Sequence, residues 1–501
     1  MSTQTWLGHP RGLATLFFTE MFERFTYYGM RAILVLFLIA PPTGLNPGFG
    51  VDRESAGAIY GLYTGAVYLF CLPGGWIADR LLGARRAVFY GGMLIALGNF
   101  LLAVPAGADL FYLGLAVITA GVGLLKPNIS AVVGALYEDQ PAARRDAGFS
   151  IFYMGINIGA FLSPFIVGTA GEGWSWRLGF ALSGLFMLLG VIQFRYTERY
   201  LGEAGRISVA DPAQRARDLR LLALGAGLIA LPLLLLFSGV LAVPVTRLAQ
   251  LAGSAMVALA VAYFGYVLIF APLSRVERGR VAVIAVFFIC AALFWAGYEQ
   301  AATTLNLFTE DYTDRSLFGS YFPAGMHPTS WYQSAQPIYI ILFSPFFAWL
   351  WVALAKRNLN PSAPAKFALG LLQLGLGFAV MVAAAELVIN SGGRVGPSWI
   401  LFTYLLQTTG ELCLSPVGLS NVTRLSPPRY VGQMMGTWFL GSAVGNVAAG
   451  LIGGEVGGGS VEQMPAQFLH MTLVGVGAGV LMLLAVPLLR RLSAEQAPAR
   501  A

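Results

Sequence analysis

Cysteine, histidine and lysine are almost absent from this chain, and charge of either sign is scarce. Each of the three residue types occurs three times among 501 residues, and charged residues make up only 11%. The cysteines lie in apolar runs, so no disulfide framework is expected, and the scattered histidines lack the spacing of a zinc site. A soluble domain contains about 25% charged residues. The low charge therefore excludes an ordinary soluble protein.

Apolar residues dominate what is there, at 57% of the chain, and they are grouped into runs of about 20 residues, the length that crosses a bilayer. The segment before the first run is polar and only ten residues long, and no small-residue cleavage site follows the run. The first run is therefore not expected to be a signal peptide. Runs seven and eight are nearly free of polar residues, as lipid-facing helices are. The sequence predicts an all-α membrane protein with fourteen spans, near 13–40, 55–78, 87–105, 110–136, 148–170, 178–195, 221–240, 248–272, 281–309, 332–355, 367–390, 397–422, 432–453 and 467–489.

The basic residues alternate between the loops on the two sides of these spans. One side holds 23 of the 31, including six arginines between 195 and 220, whereas the opposite loops hold only five. The positive-inside rule makes the richer side cytoplasmic, which places both termini inside. The net charge of +7 therefore reflects orientation in the membrane, and no nucleic-acid partner is expected.

The first span carries charges at membrane depth, in the stretch EMFERFTYYGMR at 20–31. At 100° per residue, Glu20, Glu23, Arg24, Tyr27 and Arg31 occupy about a third of the helix circumference. Each charge costs about 2.5–3.5 kcal/mol in lipid on insertion scales, so such residues normally face a bundle interior or a wet cavity. The stripe predicts a path for a substrate or an ion.

Three further ionisable residues lie deep in later spans, namely Lys126, Glu299 and Glu411. Snorkelling to an interface is the alternative for Lys126, but its position in mid-span before Pro127 argues against it. With the first span, four acidic and three basic groups would give a shared site a charge of −1. Such a site can exchange salt bridges and titrate a carboxylate.

Polar and aromatic residues at helical spacing extend this set. Packing or an interfacial aromatic belt is the alternative role for each single ring. The candidates are the i, i+4 pairs Tyr153 with Asn157 and Glu411 with Ser415, together with Tyr60, Tyr63, Trp295, Tyr298 and Trp438.

Several motifs resemble a known family. The loop DRLLGARR resembles the cytoplasmic signature of the major facilitator superfamily. EMFERFTYYG resembles the ExxERFxYYG motif of its peptide-transporter branch, the proton-dependent oligopeptide transporter (POT/PTR) family. FYMGINIG at 152–159, FWAGYEQ at 294–300, WYQSAQPIYIILFSP at 331–345 and GELCLSPVGLS at 410–420 also fit. The resemblance runs from residue 10 to about 490, and bacterial members share the inserted pair of spans.

The resemblance implies a major facilitator fold with two six-helix bundles at 1–197 and 281–501, joined by a linker and an inserted hairpin at 198–280. It further implies a proton-coupled symporter that imports di- and tripeptides by alternating access. Such a protein is a multi-pass monomer of the bacterial cytoplasmic (inner) membrane, needs lipid bilayer and peptide as partners, and uses protons but no cofactor or metal.

The resemblance also implies roles for individual residues. Arg24, Arg31 and Lys126 would bind the peptide carboxylate, and Asn157 and Glu411 its ammonium group. Tyr28, Tyr63 and Tyr153 would contact the peptide backbone, while Trp295, Ser415 and Trp438 would shape side-chain pockets. Proton coupling and gating would involve Glu20, Glu23, Arg24, Arg31, Lys126, Glu299 and Glu411. An outer latch would join Arg53 to Glu310 or Asp311.

Two departures from the family pattern matter. The usual QSxNP is QSAQP here, so Gln336 stands where an asparagine is expected to help bind the ammonium group. The histidine that animal members carry on the second helix is absent, so coupling has to depend on carboxylates.

Two alternatives remain from the sequence. The first is a proton-coupled transporter of another small substrate, such as nitrate, a drug or a modified peptide, on the same fold. Nitrate-carrying members often lack the acidic residues of the first-helix motif, which this chain keeps. The second is an intramembrane enzyme, which would need a metal cluster or an activated nucleophile. No histidine lies near Ser415, Cys413 or the acidic residues in the sequence, so an enzyme is not expected.

Overall fold

The structure is a computed structural model, and it describes residues 5–206, 212–322, 325–458 and 460–493. Helices account for nearly all of it. The described strands are Thr5–Trp6 and His9–Pro10, which pair antiparallel just before the first helix. The predicted all-α membrane class is confirmed.

Most helices are of membrane-spanning length, since a residue adds about 1.5 Å to a helix. In chain order they are α1 Arg11–Ile39, α2 Arg53–Ile77, α3 Ala84–Ala103, α4 Ala108–Leu136, α5 Ala142–Ser163, α6 Thr169–Gly173, α7 Trp176–Thr197, α8 Pro212–Phe237, α9 Val245–Ile269, α10 Arg275–Tyr298, α11 Thr304–Tyr312, α12 Ala335–Lys356, α13 Ala363–Ser391, α14 Ser398–Leu425, α15 Val431–Gly458 and α16 Met464–Ser493.

Short segments of tighter or wider helix connect several of these elements. A π-helical turn, Ala78–Leu82, extends α2, and a second, Pro164–Gly168, joins α5 to α6. A 3-10 turn, Glu299–Ala302, separates α10 from α11 within one continuous span. A 3-10 stretch inside a helix often marks a hinge or a strained site, and here it begins at one of the predicted site residues.

Within the described residues, twelve segments are long and apolar enough to cross a membrane. Helices α1 and α14 are also long, at 29 and 28 residues, but they are more polar. They carry Glu20, Glu23 and Arg24 in α1 and Glu411 in α14. The chain is therefore a multi-pass membrane protein. Length and composition alone give twelve spans instead of the expected fourteen, because α1 and α14 hold residues of the predicted site.

The helices form two compact units. The first unit comprises Met1–Gly50 and Ala66–Arg247, and the second comprises Val51–Gly65 and Leu248–Ala501. In the first unit α1 packs against α5 and α7, and α3 packs against α4 and α7. In the second unit α13 packs against α14 and α16, and α10 against α15. The expected domain boundaries at 197 and 280 stay a prediction.

The N-terminal half of α2 belongs to the second unit, where it packs closely on α15. A Cβ atom on Gly57 would come within 2.4 Å of the Gly450 carbonyl oxygen, so only glycine fits at this crossing. Gly61 lies one turn further along the same face and meets Gly450 as well. Arg53, Tyr60 and Tyr63 lie on this half of α2 and so belong to the second unit.

Candidate substrate-binding and proton-coupling site

The charged stripe of α1 forms a buried acid–base cluster in the first unit. Arg24 donates from Nη2 to Glu23 Oε1 at 2.5 Å, and its Nε also contacts Glu23 Oε2. The same Nε lies 3.3 Å from Glu20 Oε1, one helical turn away. All three side chains are buried, and Glu23 is fully enclosed. One guanidinium therefore contacts two carboxylates, that of the adjacent Glu23 and, as the i, i+4 spacing allows, that of Glu20.

The motif FYMGINIG sets the distance between α5 and α1. A Cβ on Gly159 would approach the Met21 carbonyl oxygen to 2.3 Å, so the two backbones touch only because this residue is glycine. The neighbouring Asn157 is buried, and its Nδ2 donates to the Tyr153 carbonyl at 3.0 Å. The Tyr153 side chain is 53% exposed within the structure. Tyr153 is thus open to contact by another molecule, whereas Asn157 lies deeper.

The other two basic residues of the predicted site in the first unit, Lys126 and Arg31, make cation–aromatic contacts. Lys126 Nζ lies 3.9 Å from the centre of the Tyr68 ring on α2. The Arg31 guanidinium lies 5.1 Å from the Tyr28 ring. An aromatic face stabilises a cation without neutralising it. Two acidic and three basic groups consequently leave the cluster of the first unit with a formal surplus of +1.

The second unit contains the acidic residue Glu299 at the break between α10 and α11. Its carboxylate is buried, and the Tyr60 hydroxyl donates to its Oε2 at 3.1 Å. Thr303, which follows the 3-10 turn, has non-helical backbone angles of φ −119° and ψ −97°. The carboxylate therefore sits at an interruption of the helix, beside a neutral hydrogen-bond donor.

The N-terminal end of α2 and the C-terminal end of α11 meet through charged residues. Arg53 Nη1 lies 2.6 Å from Asp311 Oδ2. Glu310 instead accepts from Arg315, at 2.9 Å from its Nη2, and from the Thr329 hydroxyl. Of the two partners expected for Arg53, the structure places Asp311 against it and engages Glu310 with the following loop.

Helix α14 carries a polar line formed by Gln407, Glu411 and Ser415 at intervals of four residues. Gln407 is fully buried, and its Oε1 accepts from Gln336 Nε2 at 3.5 Å. Gln336 lies in the first turn of α12, where it is buried together with its neighbours Ala335 and Pro337. The two glutamines therefore join α12 to α14 one turn away from Glu411. The predicted acidic site residues of this unit, Glu299 and Glu411, together carry a formal charge of −2.

The rings that are expected to shape side-chain pockets are well packed. Trp438 is 7% exposed and packs edge-on to Phe367, with ring centres 6.3 Å apart. Trp295 is half-buried and packs edge-on to Tyr298 at 5.3 Å. Tyr63 is buried in the same unit. These rings therefore contribute to helix packing, which is the alternative role for them.

Comparisons with known proteins show the family of this chain. A family model, PTR2, described as the POT family, matches residues 85–456. The chain belongs to the POT family. It is 42% identical to the peptide transporter YePEPT of Yersinia enterocolitica over 504 residues, which cover 98% of this chain and 97% of the relative. It is 38% identical to a di-/tripeptide transporter of Lactococcus lactis subsp. cremoris, covering 87% of this chain and 88% of that protein.

Solved structures of the POT family share the fold. A crystal structure of the peptide transporter POT in complex with sulfate matches with a TM-score of 0.89 at 40% identity, covering 98% of this chain and 97% of that one. Transporter relatives agree with the expectation that the chain is not an enzyme. Among the described residues of this POT-family chain, no group of three or more potential metal ligands occurs.

Three polar neighbours of the site were not predicted from the sequence. Tyr68 under Lys126 is one of many aromatic residues, and nothing in its spacing connects it with α4. Arg315 was placed in an outer loop, with no indication that it pairs with Glu310. Gln407 could have been found, because it lies four residues before Glu411 on the face that also carries Ser415.

Proposed function

We propose that this chain imports di- and tripeptides into the bacterial cytoplasm by proton symport. It works as a monomer of the cytoplasmic membrane with both termini inside, and protons are its coupling ion. The observation that carries the proposal is the difference in charge between the predicted site residues of the two units. In the first unit Arg24, Arg31 and Lys126 stand against Glu20 and Glu23, a surplus of +1, and in the second unit Glu299 and Glu411 give −2. A zwitterionic peptide has one end for each.

The peptide carboxylate binds in the first unit. Arg24 and Arg31 offer planar forks of donors that match a carboxylate in two places, and Lys126 adds a point charge. Tyr28 and Tyr153 contact the peptide backbone from this unit. Arg31 lies over the Tyr28 ring and Lys126 over the Tyr68 ring; an aromatic face leaves a cation its charge, which supports attraction of an anionic ligand.

The peptide ammonium group binds to Glu411 and Gln336 in the second unit and to Asn157 in the first. Gln336 has the same donor and acceptor groups as the asparagine of the family pattern, one methylene further from the backbone. Tyr63 contacts the backbone, and Trp295, Ser415 and Trp438 bound the side-chain pockets. The packed state of both tryptophans supports pockets of fixed shape.

Proton coupling works through competition for the basic groups. Glu23 and Glu20 hold Arg24 in the absence of substrate, so a peptide carboxylate has to displace them. Protonation of either carboxylate from outside weakens that hold and frees Arg24 for the peptide. Release of the proton to the cytoplasm restores the original pair and expels the carboxylate. Glu299, which accepts from the uncharged Tyr60 hydroxyl, is a second group that can take up a proton.

The membrane potential supplies part of the driving force. One charge crossing 100 mV provides about 2.3 kcal/mol, which supports a peptide gradient of roughly fifty-fold. While the substrate leaves on the cytoplasmic side, the contact of Arg53 with Asp311 keeps the extracellular end of the second unit closed.

The direct test is uptake of labelled dialanine by proteoliposomes under an imposed pH gradient. We expect accumulation that an ionophore abolishes and that unlabelled dialanine inhibits saturably. Nitrate or a drug that competes while dialanine does not would assign the chain to another substrate of the family.

Coupling is tested separately with Glu23→Gln. This variant should lose proton-driven accumulation but keep dialanine exchange between the two sides of the membrane. Glu386→Gln is the matched control, because Glu386 is exposed on α13 and should leave both activities unchanged. Loss of dialanine binding in Glu23→Gln would make Glu23 a structural residue and contradict the coupling role.

A further inference from the structure

A basic cavity lies where α3 begins and α7 ends, within the first unit and away from the transport residues. Its volume is about 610 Å³, and Arg85, Arg86, Arg195 and Arg206 line it together with one carboxylate, Glu198, and the ring of Tyr90. Even when Glu203, which bonds Arg206 at 2.8 Å, is included, four guanidinium groups face two carboxylates. The cavity therefore has a surplus of positive charge.

The backbone adds to this positive potential. Helix α3 begins at Ala84 after Gly83, whose lack of a side chain leaves the first turn without a side-chain cap, and that turn contains no acidic residue. The positive end of a helix dipole favours an anion nearby. Arg85 fixes the local geometry, because its Nη2 donates to the carbonyls of Gly202 at 2.6 Å and Ala204 at 3.0 Å.

An apolar track leads from this cavity along the membrane. Tyr90 lines the cavity, and Met93 and Leu97 follow it at i+3 and i+7 on the same face of α3. All three side chains are about half exposed, at 49%, 47% and 51%. The cavity sits at the end of two membrane spans, α3 and α7, where the headgroup region begins. Arginines at one end and an exposed apolar stripe above them match the two parts of a phospholipid.

We propose that this cavity binds one anionic phospholipid, with the phosphate among the arginines and an acyl chain along Tyr90, Met93 and Leu97. Basic pockets between membrane helices on the cytoplasmic side bind anionic headgroups in this way. Charge complementarity selects an anionic lipid, because the positive group of a zwitterionic headgroup would be repelled by a site already rich in guanidinium. The proposal does not depend on the identity of the transported substrate.

The experiment measures lipid retention by native mass spectrometry. Protein in phosphatidylcholine nanodiscs receives increasing amounts of phosphatidylglycerol, and the fraction that keeps one such lipid after gentle release is recorded. Wild type should retain phosphatidylglycerol at least fivefold better than phosphatidylcholine. Arg86→Gln and Arg195→Gln should each lower retention about fivefold, since a basic residue near the surface contributes about 1 kcal/mol.

Two further variants make the result specific. Glu198→Gln removes the opposing carboxylate and should raise retention, a change of sign that loss of structure would not produce. Arg278→Gln is the matched control, because Arg278 is an exposed arginine in the first turn of α10 and should leave retention unchanged. Equal Tm values of all variants in phosphatidylcholine alone establish that they are folded.

Other outcomes overturn the proposal. Equal retention of the two lipids by wild type, or an effect of Arg278→Gln as large as those of the cavity variants, would mean that no specific lipid site exists. Displacement of phosphatidylglycerol by millimolar inorganic phosphate would show that the cavity takes a soluble phosphate, and the lipid assignment would be wrong.

Discussion

The charged site residues of the two compact units make different kinds of contact. In the first unit, acids and bases lie next to each other on one helix, and Arg24 bonds both Glu20 and Glu23. In the second unit, Glu299 is bonded to a neutral hydroxyl, and Gln336 and Gln407 bond each other beside Glu411. Removing one partner of a buried ion pair leaves an uncompensated charge, whereas loss of one hydrogen bond to a neutral hydroxyl costs about 0.5–1.5 kcal/mol. Substitutions in the two units should therefore have different consequences.

Arg24→Ala should have the largest effect, because it leaves Glu20 and Glu23 buried beside no guanidinium. Removing one partner of a buried pair costs about 3–5 kcal/mol. We expect dialanine uptake to fall by at least about a hundredfold and the Tm in detergent to drop. Both are measured on the same purified protein.

A second variant checks the physical cause of that drop. In Arg24→Ala combined with Glu23→Gln, one unpaired charge has been removed, so the Tm should recover in part while uptake stays lost. A Tm as low as that of the single variant would mean that packing by the arginine stem, not charge, is what α1 needs.

Glu299→Gln should have an intermediate effect. The amide keeps the volume and accepts from Tyr60 as before, so the fold should persist, but it cannot carry a proton. Proton-driven accumulation should fall about tenfold while dialanine exchange continues. Tyr60→Phe removes one hydrogen bond, worth about 0.5–1.5 kcal/mol, and should change accumulation less. Accumulation unaffected by Glu299→Gln would leave coupling to the first unit alone.

The organisation of α1 could be predicted from the sequence because the relevant interactions are local. Helical periodicity alone puts Glu20 and Arg24 one turn apart on one face. The prediction that these charges are buried follows from the length of the apolar run around them. Helix class, approximate bounds and the pairing within α1 all depend on neighbours in sequence.

Contacts between distant helices could not be predicted in this way. Tyr68 under Lys126 depends on how α2 packs against α4, and the choice of Asp311 over Glu310 depends on the loop that contains Arg315. No proline near Glu299 in the sequence predicts the interruption between α10 and α11. The grouping of Val51–Gly65 with the second unit arises from the glycine contact of α2 with α15, which no pattern within α2 reveals.

Gln336→Asn restores the residue of the family pattern and should have a small effect on transport. The shorter side chain moves the amide away from Gln407, whose bond to Gln336 is already long at 3.5 Å. We expect the KM for dialanine to change by no more than about threefold, the equivalent of one weak hydrogen bond. Gln336→Leu has similar volume without the amide and should raise the KM more. Equal effects of both variants would exclude a polar role for this residue.

His327→Gln should have the smallest effect, confined to stability and to acidic pH. His327 lies outside the spans, stacked on Trp331 with ring centres 5.4 Å apart and bonded to the Tyr332 hydroxyl at 3.1 Å. Burial and the positive charge of Arg315 lower the pKa of His327, and a hydrogen bond with the Arg315 backbone and the charge of Asp314 oppose this only in part.

The direction of this pH dependence of stability follows from proton binding. Because the unfolded chain protonates this histidine more readily than the folded one, the free energy of unfolding falls as pH drops below about 6.5. The wild-type Tm should therefore decrease slightly more than that of His327→Gln between pH 7.5 and 5, by about 1–2 °C. Parallel pH profiles for the two proteins would show that His327 does not contribute.

The central claim is that the first unit binds the carboxylate end of a peptide and the second unit its ammonium end. Competition with end-blocked peptides in proteoliposomes tests it most directly, by measuring how well dialanine amide and N-acetyl-dialanine inhibit dialanine uptake. Wild type should discriminate against both. Arg31→Ala should lose discrimination against the amide alone, and Glu411→Gln against the acetylated peptide alone. Equal loss of both discriminations in either variant would contradict the account.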